Sequence, residues 1–497
     1  MNLAMSLLAA SERNPAAEAI VDGKTRLSYA ELQERVSRIA GALSERGIGE
    51  SDRVAAVLKN RSETVELFWA CQWLGACFVP LSWRSSPADV DYCVKDSEAK
   101  IVFFEPTSAE HAAQLEDVAL ISIDDSAETS DWDGLLGSRS LPGALELDSD
   151  AAAVMLYTSG TTGRPKGVPR SHGAERAGGL SQVLQHGYLD KDRTLGVMPL
   201  YHTMGDHSMI AMSLVGGCFV CQRQWDVSEA LQLIEAEQVS SLYLAPTLFH
   251  DLVTNGGRSS FDLSSVQALG YAGAAMTGAL VERCAEVFAP RIFVNHYGST
   301  EIYTFSLRAG QEEKPGCAGR PAINARLRLV EPREDSTPAD VVGPGEEGEI
   351  ICHLSSDEAF SGYWNRPDAD QKSIRDGWYF TGDLGRLDED GELWIVGRVD
   401  DMIISGGENI HPLEVEDALA RHPAVLESAV VGAADDRWGQ RVVAHCVIAA
   451  PVDAQQLDAF LLEDETLARF KRPREYHFPK DLPKSPSGKI LRRALRE

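Results

Sequence analysis

The chain has 497 residues, 44% hydrophobic and 25% charged, which is enough for two or more domains with a large core and excludes a disordered chain. Its formal net charge of −28 disfavours non-specific binding to nucleic acid or to an anionic membrane, both of which reward a basic surface. No segment approaches the ~18 apolar residues of a membrane span, and solubility is the ordinary explanation of such acidity.

The N-terminal MNLAMSLLAASERNP has an apolar run with no basic stretch before it, so it reads as a first helix and not as a signal peptide. From about Leu27 to Leu81 helix and strand alternate: YAELQERVSRIAGALSERG has helical spacing, DRVAAVLK is a short strand, and ETVELFWACQWLGACFVPL repeats the pair. AAAVMLY (151 to 157) is a buried strand that delivers YTSGTTGRPKGVPRSH (157 to 172), and Ser171 is placed to cap the helix that follows. In that loop glycines let the backbone wrap closely, while backbone N–H groups, hydroxyls and Lys166 offer donors to phosphate oxygens. It is not the P-loop of NTPases, because Lys166 precedes Gly167 and Val168 follows. A Gly/Ser/Thr cluster alone is also a common surface turn.

Alternation continues through Leu269 with strands such as VSSLYLAP (239 to 246) and helices such as GALVERCAEVFA. Nine scattered cysteines form no framework, and the one CxxC, Cys218 to Cys221, lies in a strand-like run, so packing in a reducing compartment such as the cytoplasm is expected. After about Pro321 short strands with turn signals suggest a smaller β-rich unit: GEEGEIICHL, then LDEDGELWIVGR with Asp390-Gly391 as a hairpin turn. GPGEEG (343 to 348) matches GxGxxG literally but precedes a strand, which argues against a dinucleotide site. After Arg398, HPLEVEDALARHP and QQLDAFLLED read as helices and LESAVVGA and RVVAHCVIAA as strands, a separate α+β domain joined through Val399-Asp400-Asp401.

Five further stretches follow the glycine-rich loop in order: MPLYHTMG (198 to 205), YAGAAM (271 to 276), NHYGSTE (295 to 301), WYFTGDLG (378 to 385) with GRVDDMIISGGENIHPLEVE (397 to 416), and LPKSPSGKILRR (482 to 493). Together with the loop they resemble the core motifs of the adenylate-forming superfamily of acyl-CoA synthetases, peptide-synthetase adenylation domains and firefly luciferase. The resemblance spans nearly the whole chain from LSYAEL (27 to 32). It implies a large N-terminal domain of doubly wound βαβ sheets plus a distorted β-barrel subdomain (1–399), and a small mobile α+β C-terminal domain (400–497) hinged at Asp400.

By that resemblance Thr158, Ser159, Gly160, Thr161, Thr162, Gly163 and Lys166 hold the β- and γ-phosphates of ATP. Glu301 takes Mg²⁺, a hard cation suited to a carboxylate, and Thr300 takes the α-phosphate. Asn295 reads the adenine amino group, Tyr297 stacks on the ring, and Asp383 accepts the ribose hydroxyls with Arg398 assisting. Lys489 stabilises charge developing as the acid attacks the α-phosphate, and no general base is required because a carboxylic acid of pKa ~4 to 5 is already ionised. Rotation of the C-terminal domain then brings Gly406 and Gly407 to border a pantetheine tunnel for coenzyme A. Taken singly, each of these residues has a plain reading as a turn residue, a core tyrosine or a solvated charge.

DDRWGQR (435 to 441) and ARFKRP (468 to 473) look most like bacterial aryl-CoA ligases of the 4-chlorobenzoate:CoA ligase kind, which implies CoA contacts by Trp438, Phe470 and Arg472. The acyl pocket is then expected from His202, Gly273, Ala274, Tyr297, Gly298 and Ile302, with Tyr303 and His207 as further candidates. Nothing in this set supplies a cation for a second carboxylate, so a neutral ring acid fits. Asp206 departs from the apolar residue expected in a chlorobenzoate ligase and suggests a polar ring substituent. His202 and His207 lack a metal-binding motif. The resulting expectation is an ATP-dependent CoA ligase for an aromatic or alicyclic acid, with homodimerisation left open. A medium-chain acyl-CoA synthetase, a stand-alone enzyme that loads a carrier protein, and a non-catalytic binder are the alternatives.

Overall fold

The computed structural model describes residues 2–124, 131–158, 164–464, 466–484 and 490–496. The chain divides into two compact units, one of Met1–Pro315, Pro321–Arg326 and Leu354–Lys372, the other of Gly316–Arg320, Leu327–His353 and Ser373–Glu497. Compactness therefore groups most of the β-rich segment before residue 399 with the C-terminal residues, a different partition from the expected boundary at 399/400.

In the first unit Ala119–Ser122, Ile101–Phe104, Arg53–Val57, Cys77–Pro80 and Ala152–Thr158 lie side by side and parallel. The period of two in a strand sends alternate side chains to opposite faces, and both faces are covered. Val54 and Ala56 join a core with the helices Tyr29–Glu45 and Ser62–Leu74, whereas Ala55 and Val57 join a second core with Pro87–Asp96. This is the doubly wound arrangement in which parallel strands read as continuous apolar runs. A second sheet sets Glu18–Asp22, Cys218–Cys221, Arg193–Gly196, Ser241–Leu244, Ala268–Tyr271 and Ile292–Tyr297 in parallel, with Ser306–Ala309 antiparallel beside the last.

The loop after Tyr157 differs from the strand-loop-helix expectation. Lys166–Ser171 is itself a strand, antiparallel to Ala152–Thr158 with Thr158 opposite Lys166, so residues 159 to 165 join the two strands of a hairpin. Pro169 masks this strand in the sequence. It has no N–H to donate and is tolerated because Lys166–Ser171 is the edge of its sheet. Ser171 does cap the following helix, His172–Gln185, by accepting from the Ala174 N–H.

In the second unit Leu327–Val330, Glu347–His353, Trp378–Leu387 and Leu393–Arg398 form an antiparallel sheet, and the last two strands are joined by the expected Asp390-Gly391 turn. A further sheet of Ile403–Ser405, Glu408–Ile410, Val425–Asp435, Gly439–Ile448 and Glu475–His477 packs on the helices Pro412–Ala420 and Ala454–Glu463 through Val415, Leu419, Val430, Val442, Leu457 and Leu461.

Candidate active site

Ser159, Gly160, Thr161, Thr162, Gly163 and Lys489 lie outside the described residues. The rest of the expected nucleotide machinery divides between the two units, and each part has its own geometry.

In the first unit the strand Lys166–Ser171 and the NHYGSTE segment are tied by a tyrosine that sequence reading missed. Lys166 places its Nζ 4.0 Å from the centre of the Tyr363 ring, and the Tyr363 hydroxyl donates to Glu301 Oε1 at 2.7 Å. Burial draws the Lys166 pKa down while the Glu301 carboxylate pulls the other way. The backbone is fixed as well: Trp364 N–H donates to the Gly167 carbonyl at 2.9 Å and Phe360 N–H to the Glu301 carbonyl at 2.8 Å. Within the segment the Ser299 hydroxyl accepts from Glu301 N–H at 3.2 Å, and Ser299 N–H donates to the Ile302 carbonyl at 3.0 Å. Gly298 is obligatory, because a Cβ there would stand 1.7 Å from the Tyr303 carbonyl oxygen. Thr300 and Glu301 are thus presented on a turn that its own hydrogen bonds close. Both are largely buried, and the Glu301 carboxylate is a hard oxygen ligand of the kind a divalent cation takes.

Asn295 is nearly buried on the strand Ile292–Tyr297, and Tyr297 is half-buried with its ring 5.1 Å from Phe305. Of the expected acyl-pocket residues, Gly273 and Ala274 are exposed, His202 is half-buried at the start of the helix Thr203–Val215, and Ile302 and Tyr303 are buried. His207 is fully buried and stacks on Tyr303, with ring centres 3.7 Å apart and planes 9° from parallel. The polar partner for Asp206 is the protein's own: Asp206 Oδ1 faces His207 Nδ1 at 2.9 Å and accepts from His207 N–H at 2.7 Å. One oxygen of the carboxylate that suggested a polar ring substituent is therefore partnered within the protein, by His207.

Asp206 and His207 belong to a buried charge cluster that sequence reading also missed. Arg170 Nε donates to Glu175 Oε1, and Glu175 Oε2 lies 3.6 Å from His207 Nε2. Burial pushes Asp206 up to about 6, with Glu175 adding to the rise. Burial also opposes charge on His207, yet Glu175 and Asp206 outweigh it and hold its pKa above the usual value.

In the second unit Asp383 and Arg398 face each other across paired strands, and Arg398 Nη1 donates to Asp383 Oδ1 at 2.7 Å. Asp400 is exposed in a short turn, Val399–Asp401, where its carbonyl accepts from Arg496 at 3.1 Å. Gly406 and Gly407 form the two-residue turn between Ile403–Ser405 and Glu408–Ile410, with φ of +63° and +87°. Left-handed backbone at both positions is the requirement of a tight hairpin, so turn geometry already accounts for both glycines. Trp438 packs on this turn: its carbonyl accepts from Gly406 N–H at 2.7 Å, and its exposed ring lies where a Gly406 Cβ would meet it at 2.7 Å. Phe470 is exposed, whereas the Arg472 guanidinium is mostly buried against Asp458 and the Arg469 carbonyl.

Known proteins resemble this chain throughout. It is 34% identical over 493 residues to a feruloyl-CoA synthase of Amycolatopsis sp, covering 97% of this chain and 96% of that one. It is 32% identical over 518 residues to a 4-chlorobenzoate–CoA ligase of Arthrobacter sp, covering 100% and 95%. The o-succinylbenzoate CoA synthetase of Bacillus subtilis, solved with its acyl-adenylate intermediate, superposes with a TM-score of 0.87 at 30% identity, covering 99% and 98%. The same synthetase is solved with ATP and a magnesium ion. Residues 7–364 match the AMP-binding enzyme family and residues 414–489 its C-terminal domain. With the whole chain so covered and the motifs ordered as they are, this protein belongs to the AMP-binding enzyme family.

Proposed function

We propose that this chain is an ATP-dependent acid:CoA ligase whose acid carries an aromatic or alicyclic ring. A carboxylate oxygen attacks the α-phosphorus of ATP, the bond to the bridging oxygen breaks, and pyrophosphate leaves. The thiolate of CoA then attacks the acyl carbon and AMP leaves. The observation that carries the reading is the convergence of Lys166, Tyr363 and Glu301 at the mouth of the phosphate hairpin. Mg²⁺ bound with ATP would be held by Glu301 and supplies positive charge against the triphosphate.

Thr158 and Lys166 bind the outer phosphates and Thr300 the inner one, Asn295 and Tyr297 hold adenine, and Asp383 with Arg398 holds the ribose. Lys489 serves the adenylation transition state, and Asp400 is the hinge. Gly406, Gly407, Trp438, Phe470 and Arg472 serve CoA. His202, Gly273, Ala274, Gly298, Ile302 and Tyr303 shape the acid site, and His207 acts on it through the ring of Tyr303. Ring acids are favoured because the acids named for the two relatives, ferulate and chlorobenzoate, are aromatic. The cytoplasm is the compartment we assign, since nine buried cysteines with no disulfide fit a reducing environment.

Pyrophosphate release over benzoate, substituted benzoates, cyclohexanecarboxylate and medium-chain fatty acids tests the reading, with AMP release then followed with and without CoA. Ring acids should lead and CoA should drive AMP release. No pyrophosphate with any acid would overturn the enzyme, and AMP release that CoA does not raise but an added pantetheine-bearing carrier protein does would move the acceptor to that carrier.

A further inference from the structure

We infer that Arg170 is a positioning residue for adenylation, holding the Thr300–Glu301 turn against the strand that carries Lys166, within a buried set completed by Glu175, Asp206 and His207. The inference rests on the proposed adenylating activity. Arg170 lies on the strand Lys166–Ser171, four residues after Lys166 and so on the same face of it. Its side chain is completely buried, and its Nη1 donates to the Thr300 carbonyl at 2.7 Å while Nε donates to Glu175. The guanidinium thereby links the hairpin directly to the peptide that leads into Glu301.

The same cluster holds the far side of that turn. Glu175, in the first turn of His172–Gln185, faces His207, whose Nδ1 lies 3.0 Å from the Thr203 carbonyl and 2.9 Å from Asp206 Oδ1. The His207 ring in turn lies flat on Tyr303, three residues beyond Thr300. Thr300 is fixed by a hydrogen bond and Tyr303 by a stacked ring, both referred to one buried group of charges. Ligand atoms of Glu175, Asp206 and His207 lie within 4.8 Å of one another, a spacing that suits a metal ion. Arg170 already supplies the cation, bonded to Glu175, and a dication would stand against it. Well-packed apolar residues would cost a fold no more than such a buried ion set. What the charges add is direction, a donor committed to one carbonyl.

The test replaces the pair together, Arg170→Met with Glu175→Met, so that neither charge is left buried alone. Thermal unfolding, calorimetric affinity for ATP with Mg²⁺, and kcat and KM of pyrophosphate release are measured against the parent chain. The variant should stay folded, bind ATP more weakly and lose roughly 10- to 100-fold in kcat/KM, the scale of a small misplacement of reacting groups. Parent-like affinity and turnover in the folded variant would overturn the inference. Arg170→Lys keeps a cation facing Glu175 but cannot fork to two acceptors, and should fold with the same loss; parent-like kinetics there would also overturn it. If neither variant folds, Arg170 serves stability alone and the inference fails. An inactive parent chain would instead sink the proposed enzyme.

Discussion

The two units present their candidate residues by opposite means. In the first, Thr300 and Glu301 sit on a turn held by buried partners, namely Arg170, Tyr363 and the stacked Tyr303–His207 pair. In the second, Gly406-Gly407, Trp438 and Arg398 sit at exposed positions set by strand pairing and a tight turn. Buried polar groups are costly when a partner is lost, so positions in the first unit should couple function to folding. Exposed turns should allow function to be altered with the fold intact.

The largest expected contrast is between two glycines. Gly298→Ala forces a Cβ to within 1.7 Å of a backbone oxygen and should cost more than the ~1–3 kcal/mol usual for overpacking, seen as loss of soluble folded protein. Gly407→Ala meets no atom within 4 Å and pays only the left-handed backbone penalty of about 1–2 kcal/mol, so it should fold and permit assay of the CoA step. Equal expression and stability of the two would break the contrast. Next, Lys489→Ala should reduce pyrophosphate release by roughly 10²–10³ yet leave thioester formation from supplied acyl-adenylate near the parent rate. Equal loss in both half-reactions would remove the lysine from its role.

The third expectation concerns pH. Burial lowers His172 and His296 to about 4 and His186 further, so in the folded first unit these rings stay neutral. Unfolding lets them take up protons, and stability present above pH ~6.5 is lost as pH falls through 6.5 toward 4. Glu66 and Asp206, raised by burial to about 7 and about 6, act oppositely, their contribution lessening as pH rises through that window. His207 and Asp417, raised as well, act with the carboxylates, so the rings are read by difference. With His172→Gln the change in urea midpoint from pH 7 to pH 5 should be less unfavourable than in the parent chain, and an equal change would contradict the sign. Smallest are two paired tests. Tyr363→Phe removes a hydrogen bond to a charged group worth about 1.5–3 kcal/mol and should weaken Mg²⁺-ATP binding at least several-fold. Arg398→Ala breaks a half-exposed pair and should shift thermal stability by no more than about 1 kcal/mol, while raising the KM for ATP.

Much of this was legible from residue pattern. Alternating apolar runs disclose the parallel strands, Ser171 the helix start and Asp390-Gly391 its hairpin. Asp383 and Arg398 are cross-strand partners. What escaped has physical causes. Pro169 disguised an edge strand. Asp206 and His207 were expected at the acid pocket, while Arg170 and Glu175 carry no motif and charge is normally solvated; only tertiary pairing brings the four together in the interior. Tyr363 lies in FSGYWNRP, a segment without helix or strand period, where the adjacent Trp364 and Phe360 three residues before were the one available hint.

The nine cysteines have a practical consequence. None is in a disulfide and all are buried, and burial pushes Cys77, Cys218, Cys284 and Cys446 up to about 12. The thiolate is the form that reacts, so at neutral pH the native catalyst contributes almost no colour with a sulfhydryl reagent. Aliquots drawn during turnover would report the acceptor's sulfur alone, and its disappearance would give a direct count of product without prior alkylation of the enzyme.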